Sequence, residues 1–337
     1  MFCKMKKTFF SFLLVACLFS ACDKVSPLGI IMAGTAVEDR VKMSDVFYRK
    51  YWDEQIVLLS FGDYSFIVGA DSHLTTDPGR MDEMLAIGLE HDDLFYAHLG
   101  DIADTKAEYY VTLDSLLEEA KVRYVRQKYD KLDDFHYVLK DDEDPDAVTM
   151  TYEEIVYPFF PVVGNHDITH NGWALWSNIF HSSFYEIDVV VLHDDGEISF
   201  DHLIFLDSAS GTLGRTQIDL INQGILDGRY YLDYRNTFVF THTNIFRPQF
   251  FEFASTFTRE ENFYLLNQFK KWNVTCVFCG HVHVWDERDY NDVHYITLES
   301  MCEKENPDPG DYLVRIQVKQ DGSVGYDPVR MNYSPKK

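Results

Sequence analysis

Positive charge is what this sequence has least of. Thirty Lys and Arg stand against 55 Asp and Glu, a formal net charge of −25 over 337 residues. A surface this acidic repels polyanions, which argues against a nucleic-acid surface. An anionic small molecule is still admissible if metal cations reverse the field locally. Cysteine is scarce too. There are six, and three of them (Cys3, Cys17, Cys22) fall in the first 22 residues. Cys276, Cys279 and Cys302 do not make a disulfide framework. Cys276-x-x-Cys279 resembles half a zinc knuckle, but no second pair accompanies it. Residues three apart on a strand face opposite sides, so both are read as core, with one disulfide to Cys302 left open. No internal repeat has a solenoid period. No Gly-x-Ser-x-Gly elbow supports a serine-hydrolase triad, so Asp207-Ser208 is read as a structural strand end.

What is present begins with a leader. Lys4, Lys6 and Lys7 precede an apolar run from Thr8 to Phe19, well short of the about 20 residues a spanning helix needs. Ser20-Ala21-Cys22 follows, and the whole resembles a bacterial lipoprotein signal. That implies an exported protein, lipid-anchored to a bacterial membrane through Cys22 and otherwise a tethered soluble domain. Cys17 is a competing site that would leave a shorter apolar core. An ordinary secretory signal with a free Cys22 is the plainer alternative. Residues 23–55 then read as tether and lead-in, and 56–330 as one large domain with an insertion at 105–158. With 46% hydrophobic and 15% aromatic residues, such a domain has ample core.

Five apolar runs organise that domain, and each ends in polar residues. Ser65–Ala70 runs into Asp71-Ser72-His73, and Leu94–Leu99 into Gly100-Asp101-Ile102-Ala103-Asp104. Phe159–Val163 runs into Gly164-Asn165-His166-Asp167, Phe238–Thr241 into His242, and Val274–Cys279 into Gly280-His281-Val282-His283. Each reads as a buried strand delivering Asp, Asn or His at its carboxyl end, where open α/β sheets carry their sites. Helical spacing appears at Met81–Leu89, at Thr112–Tyr129 and at Gln217–Leu226. Alternation at Val293–Leu298 and Tyr312–Val318, with a turn at Gln320-Asp321-Gly322, predicts antiparallel hairpins. The acidic stretch Lys140–Asp146 lacks the spacing of an EF-hand loop and reads as a solvated turn.

Asp71, His73, Asp101, Asn165, His242, His281 and His283 form a donor set of carboxylate, imidazole and amide. Mixed N/O donors suit Zn, Mn or Fe. Seven are too many for one ion with open positions, and suit two ions that share a carboxylate. Ions roughly 3.5–4 Å apart clamp an in-line displacement at phosphorus. Asp-x-His and Gly-Asp alone are weak signals. Two imidazoles on one glycine turn are harder to assign to packing. His98, inside a strand, is read as a satisfied core histidine. His170 is a secondary candidate to touch substrate, and Trp173, Trp176 and Phe180 are read as core.

The ordered series Asp71-x-His73, Gly100-Asp101-x-x-Asp104, Gly164-Asn165-His166-Asp167, His242 and Gly280-His281-x-His283 resembles the calcineurin-like metallophosphoesterase superfamily over roughly residues 60–285. The resemblance implies an α/β (α+β) fold: a four-layer αββα sandwich of two mixed β-sheets flanked by helices, here with a helical insertion. It implies one metal on Asp71, His73 and His283, a second on Asn165, His242 and His281, and Asp101 as the bridge. His166 would give its proton to the leaving group, oriented by Asp104, while a metal-bridging hydroxide attacks phosphorus. Asn165 can both ligate through oxygen and donate an N–H to a phosphoryl oxygen. The series departs from the Ser/Thr protein phosphatase pattern. Thr105-Lys106 replaces its Arg, and Asp167 replaces its Glu, so the residue that grips phosphate is unassigned. The expected activity is hydrolysis of a small phosphorylated substrate. A phosphodiesterase rather than a monoesterase, and a non-catalytic surface binding lipoprotein on the same fold, stay open as alternatives.

Overall fold

The computed structural model describes residues 35–51, 57–104, 106–121, 129–133, 136–139, 159–180, 182–222, 233–246 and 256–334. The leader with Cys22, residues 23–34 and 52–55 of the tether and the acidic loop at 140–146 lie outside the described residues. Among the described residues, no helix is long and apolar enough to cross a membrane.

Two sheets face each other. The five-stranded sheet has the order β14-β13-β2-β3-β6, built from β2 (Tyr64–Gly69), β3 (Tyr96–His98), β6 (Phe159–Pro161), β13 (Gly310–Val318) and β14 (Val324–Met331). The seven-stranded sheet has the order β1-β7-β8-β9-β10-β12-β11. Its strands are β1 (Val57–Phe61), β7 (Tyr185–Leu192), β8 (Ile198–Leu206), β9 (Tyr234–Thr241), β10 (Cys276–Cys279), β11 (Asp286–Tyr290) and β12 (Val293–Thr297). Strands β2, β3 and β6 run parallel, as do β9 and β10. The predicted hairpin at Gln320-Asp321-Gly322 joins antiparallel β13 and β14.

The apolar runs are continuous because these strands are buried on both faces. Phe66, Ala97, Phe240 and Phe278 point between the sheets. Ile67 and Tyr96 point outward under one helical layer, Val239 and Val277 under the other. Cys276 faces inward and Cys279 outward, all three described cysteines are free and buried, and no disulfide reaches Cys302. Aromatic rings knit the inner core: Phe66 stacks on Phe95 at 4.4 Å and meets Phe238 of the opposite sheet edge-on at 5.3 Å.

Helices α1 (Val37–Tyr51), α2 (Gly79–Glu90), α3 (Ala107–Lys121), α4 (Asn165–Ile168), α5 (Gly172–Phe180), α6 (Gly214–Asn222) and α7 (Arg259–Lys271) complete the layers. Thr258 caps α7 by accepting from the Glu261 N–H. Glu260 and Glu261 open that helix and Lys270 and Lys271 close it, matching the helix dipole. Residues α2, α3 and α5 contribute, such as Met84, Leu113 and Trp176, cover the five-stranded sheet. Residues from α1, α6 and α7, such as Val41, Leu220 and Phe269, cover the seven-stranded one.

Three differences from the sequence reading are local. The third helix runs Ala107–Lys121 rather than Thr112–Tyr129. Tyr110 extends its buried face one turn toward the N-terminus, and Tyr129 opens strand β4 (Tyr129–Asp133), paired with β5 (His136–Leu139). The described part of 105–158 is therefore a flanking-layer helix plus a two-stranded hairpin, not helix alone. Before residue 56, helix α1 docks on the domain: Arg40 is fully buried, its NH2 group 2.7 Å and its Nε 2.8 Å from the Asp207 carboxylate.

Candidate metal centre

The carboxyl ends of β2, β3 and β6 from one sheet and β9 and β10 from the other open on the same place. Hydrogen bonds between their loops fix it. Asp71 N–H donates to the Gly100 carbonyl (3.1 Å), and His73 N–H to that of Asp101 (3.0 Å). Gly280 N–H donates to the His242 carbonyl at 3.0 Å. The Asp71 carboxylate accepts the His281 N–H at 2.9 Å. Asp101 Oδ1 accepts the His166 N–H at 2.7 Å.

Turning the side chains inward strains the backbone. Asp71 (φ 51°), His73 (44°), Asp101 (51°), His281 (74°) and His283 (56°) all lie in the left-handed region. Each such non-glycine residue costs about 1–2 kcal/mol, and strain of this kind gathers at functional sites. The loops also approach too closely for side chains. A Cβ on Gly164 would lie 2.1 Å from the Asp101 nitrogen, and one on Gly100, at φ 90°, 2.8 Å from His242 Nδ1.

Two sets of donor atoms drawn from the predicted ligands result, beside a third made by His73, Asp104 and His166. Asp71, His73, Asp101 and His283 bring ligand atoms within 4.8 Å of one another, and so do Asp101, His242 and His281. Asn165 joins the second set, its Oδ1 2.9 Å from His242 Nε2. All seven side chains are thus brought together, and Asp101 belongs to both sets. Asp71, Asp101 and His242 are buried, while the His283 side chain is 26% exposed.

These atoms suit cations. His242 Nδ1 lies 2.8 Å from the Leu99 carbonyl, which can only accept, so in the neutral ring Nε2 carries the lone pair. That lone pair faces Asn165 Oδ1 at 2.9 Å, His281 Nδ1 at 3.1 Å and Asp101 Oδ2 at 3.5 Å. His73 Nε2 is buried and has no hydrogen-bond partner. Acceptors crowded together in this way, with an orphaned imidazole nitrogen among them, fit N/O-ligated ions.

The electrostatics agree. Burial opposes ionisation of Asp71, but its hydrogen bond with His283 and the neighbouring imidazoles outweigh it and hold the carboxyl well below the usual range. Burial likewise disfavours charge on His73 and His283. Hydrogen bonds with Asp104 and Asp71 respectively, and the surrounding carboxylates, nevertheless raise both to about 9. Burial and the His242 charge push His281 down to about 4.

His166 and Asp104 stand at the mouth, 3.3 Å apart through Nδ1 and Oδ1, with side chains 43% and 52% exposed. Asp104 is also 3.4 Å from His73 Nδ1, so it serves two imidazoles. Asp167 does not face the mouth. Its carboxylate is buried and takes the N–H groups of Ile102, Ala103 and Gly164, tying the second and third loops together. Burial and the Asp101 charge push it up to about 8. His170 is exposed at φ 47°. Trp173 and Trp176 are core, as expected. His98 departs from expectation. It is fully buried, but neither ring nitrogen has a partner, and burial pushes its pKa down to about 3, so it packs as a neutral ring beside Phe159.

Two supporting residues were missed in the sequence. Ser208 clamps both neighbours of His242: its Oγ accepts from Thr241 Oγ1 (2.8 Å) and from the Thr243 N–H (2.8 Å), and its carbonyl from Thr243 Oγ1 (2.7 Å). Glu305 accepts from His283 Nδ1. Neither lies in a motif, and Glu305 looks like any surface acid in so acidic a chain.

No family model matches this chain, and no curated protein does. Solved structures do. GAP50, the anchor in the inner membrane complex of Plasmodium, aligns at a TM-score of 0.51 and 12% identity, over 82% of this chain and 90% of that one. A dimetal phosphatase from Danio rerio aligns at a TM-score of 0.44 and 12% identity, over 80% of this chain and 99% of that one. At such identities the likeness is one of fold.

Proposed function

We propose that this chain is an exported metallophosphoesterase that hydrolyses a phosphate ester with two cations drawn from Mn, Zn and Fe. Asp71, His73 and His283 would hold one ion, Asn165, His242 and His281 the other, and Asp101 both. When bound, such a pair supplies an acidified water and neutralises charge at the phosphoryl oxygens. The chain's own groups do the rest. His166, with Nδ1 on Asp104, keeps Nε2 for the leaving-group oxygen and gives it a proton as the P–O bond breaks. Asn165 keeps its carbonyl oxygen in the cluster and leaves its N–H for a phosphoryl oxygen. The observation that carries the reading is the membership of Asp101 in both donor sets.

The test is elemental analysis of the purified chain, followed by rates on an aryl phosphate and a bis-aryl phosphate in Mn, Zn and Fe. Two equivalents of metal and turnover of either ester support the reading, and the ratio of the two rates assigns monoester or diester preference. A chain that takes up no ion defeats it. A metal-loaded chain that turns over neither ester favours the second reading, a surface binding protein on this fold, to which the likeness to an anchor protein lends support. Lipid anchoring at Cys22 belongs to the proposal. Labelled fatty acid should enter the native chain and not Cys22→Ala.

A further inference from the structure

We infer that Glu305, in the loop between β12 and β13, is a positioning residue of the metal centre: it takes the Nδ1–H of His283 and commits the Nε2 lone pair of that ring to the cation site. The inference rests on the two-cation reading above. A neutral imidazole has one N–H and one lone pair, and the acceptor beside one nitrogen decides which is which. In His283 the two nitrogens face different carboxylates: Nδ1 meets Glu305 Oε2, and Nε2 lies 3.4 Å from Asp71 Oδ1. The ring therefore stands between Glu305 and the donor set, and Glu305 is not itself a member of that set.

The same division recurs in the neighbouring rings. His242 gives Nδ1 to the Leu99 carbonyl and turns Nε2 to the cluster. His73 has Nδ1 toward Asp104 at 3.4 Å and an unpartnered, buried Nε2. Three imidazoles thus have an oxygen behind them. For His283 that oxygen comes from a loop far outside the motifs.

The loop is fastened as a surface turn would not need to be. Ser300 Oγ donates to the Asp71 carbonyl at 2.8 Å, and Met301 N–H to that of Ala70 at 3.0 Å. Arg80, 1% exposed, directs its guanidinium to the carbonyls of Met301 (3.3 Å), Asn306 (2.7 Å) and Asp308 (2.7 Å), and stacks over the Tyr312 ring at 4.0 Å. Glu303, two residues earlier, turns the other way and accepts the Arg80 N–H at 2.7 Å. The anchoring fixes the turn against the Asp71 strand end, with Glu305 behind the ring. A carboxylate behind a ligating imidazole fixes its tautomer and strengthens it as a donor, and removing such a partner costs about 10–100-fold in metal affinity. A plain exposed ion pair would cost almost nothing.

The full chain, stripped by chelator and titrated with Mn2+ and with Zn2+ against a competing dye, separates these cases. The native chain should take up two equivalents. Glu305→Ala should weaken one of them by about 10–100-fold and leave the other unchanged. Glu305→Gln, which keeps the acceptor oxygen, should restore most of the loss. Glu305→Ala titrating like the native chain overturns the inference and leaves the two-cation reading intact. Equal weakening at both ions with a lower melting temperature of the metal-free chain also overturns it, since that marks general damage. A native chain that binds neither metal overturns the two-cation reading, and this inference with it.

Discussion

The two halves of the centre are built differently. In the inner half, Asn165, His242 and His281, the ring of His242 is braced by uncharged groups: the Leu99 carbonyl behind it, and Ser208 gripping both of its neighbours. The outer half, Asp71, His73 and His283, has carboxylates behind its rings, Asp104 and Glu305, and opens toward the mouth where His166 stands. The inner rings sit where burial lowers His281 to about 4, while carboxylates raise the outer pair to about 9. One half is held by geometry and the other by charge, so they should answer differently to mutation and to pH.

Asp101→Asn removes what the halves share and should have the largest effect. Several kcal/mol of charge stabilisation disappear, on the order of 10³-fold in rate, and uptake of the second equivalent should be lost. Elemental analysis with steady-state kinetics reads both, and retention of two ions with full turnover would remove Asp101 as the bridge.

His166→Asn tests the mouth while keeping all seven donor side chains, although the His166 ring lies edge-on to His73 at 4.7 Å. Turnover should fall by about 10²–10⁴-fold, least for esters with good leaving groups, while metal content stays at the native value. Unchanged activity on an alkyl ester would show that the leaving oxygen takes its proton elsewhere.

Ser208→Ala sharpens the comparison on the inner side. It strands the Thr243 N–H and the Thr241 hydroxyl, at about 1–3 kcal/mol. Uptake of one ion should weaken about tenfold, without the dependence on a charged partner expected at Glu305. Calorimetric titration of the metal-free variant would check this.

The smallest effect concerns pH. His73 and His283 are raised from 6.5 to about 9 without metal. A raised imidazole stabilises the fold fully below its unfolded pKa and loses that contribution as pH climbs through its folded one. The melting temperature of the chelator-treated chain should therefore decline between about pH 6.5 and 9, whereas the metal-loaded chain should be flatter, because bound rings cannot take up protons. Parallel curves with and without chelator would mean that the outer rings carry no such charge.

How much was legible can be argued residue by residue. The strands were readable because burial on both faces writes itself as an unbroken apolar run, as in Phe66-Ile67-Val68. The donor residues were readable because each follows such a run, three of the five at a glycine, and Gly100 and Gly164 have no room for a side chain. The start of α3 was misplaced because Tyr110 looks polar-tolerant in sequence and proves to be core. Sequence does not reveal which groups lie opposite a ring, so the unpartnered nitrogens of His98 show only in the fold.

The order of residues along the chain determined which donor side chains stand at the strand ends, since composition and strand-end position are local properties. It also set the net charge of −25, which repels polyanions, because charge adds up without regard to fold. Only the folded arrangement decided that Asp101 lies in both donor sets, that Glu305 and Ser208 stand behind His283 and His242, and that Arg40 ties the first described helix to Asp207. Those pairings span 22 to 167 residues of chain. No periodicity or motif encodes such a contact; it exists because two sheets close on one another and bring distant loops to the same end.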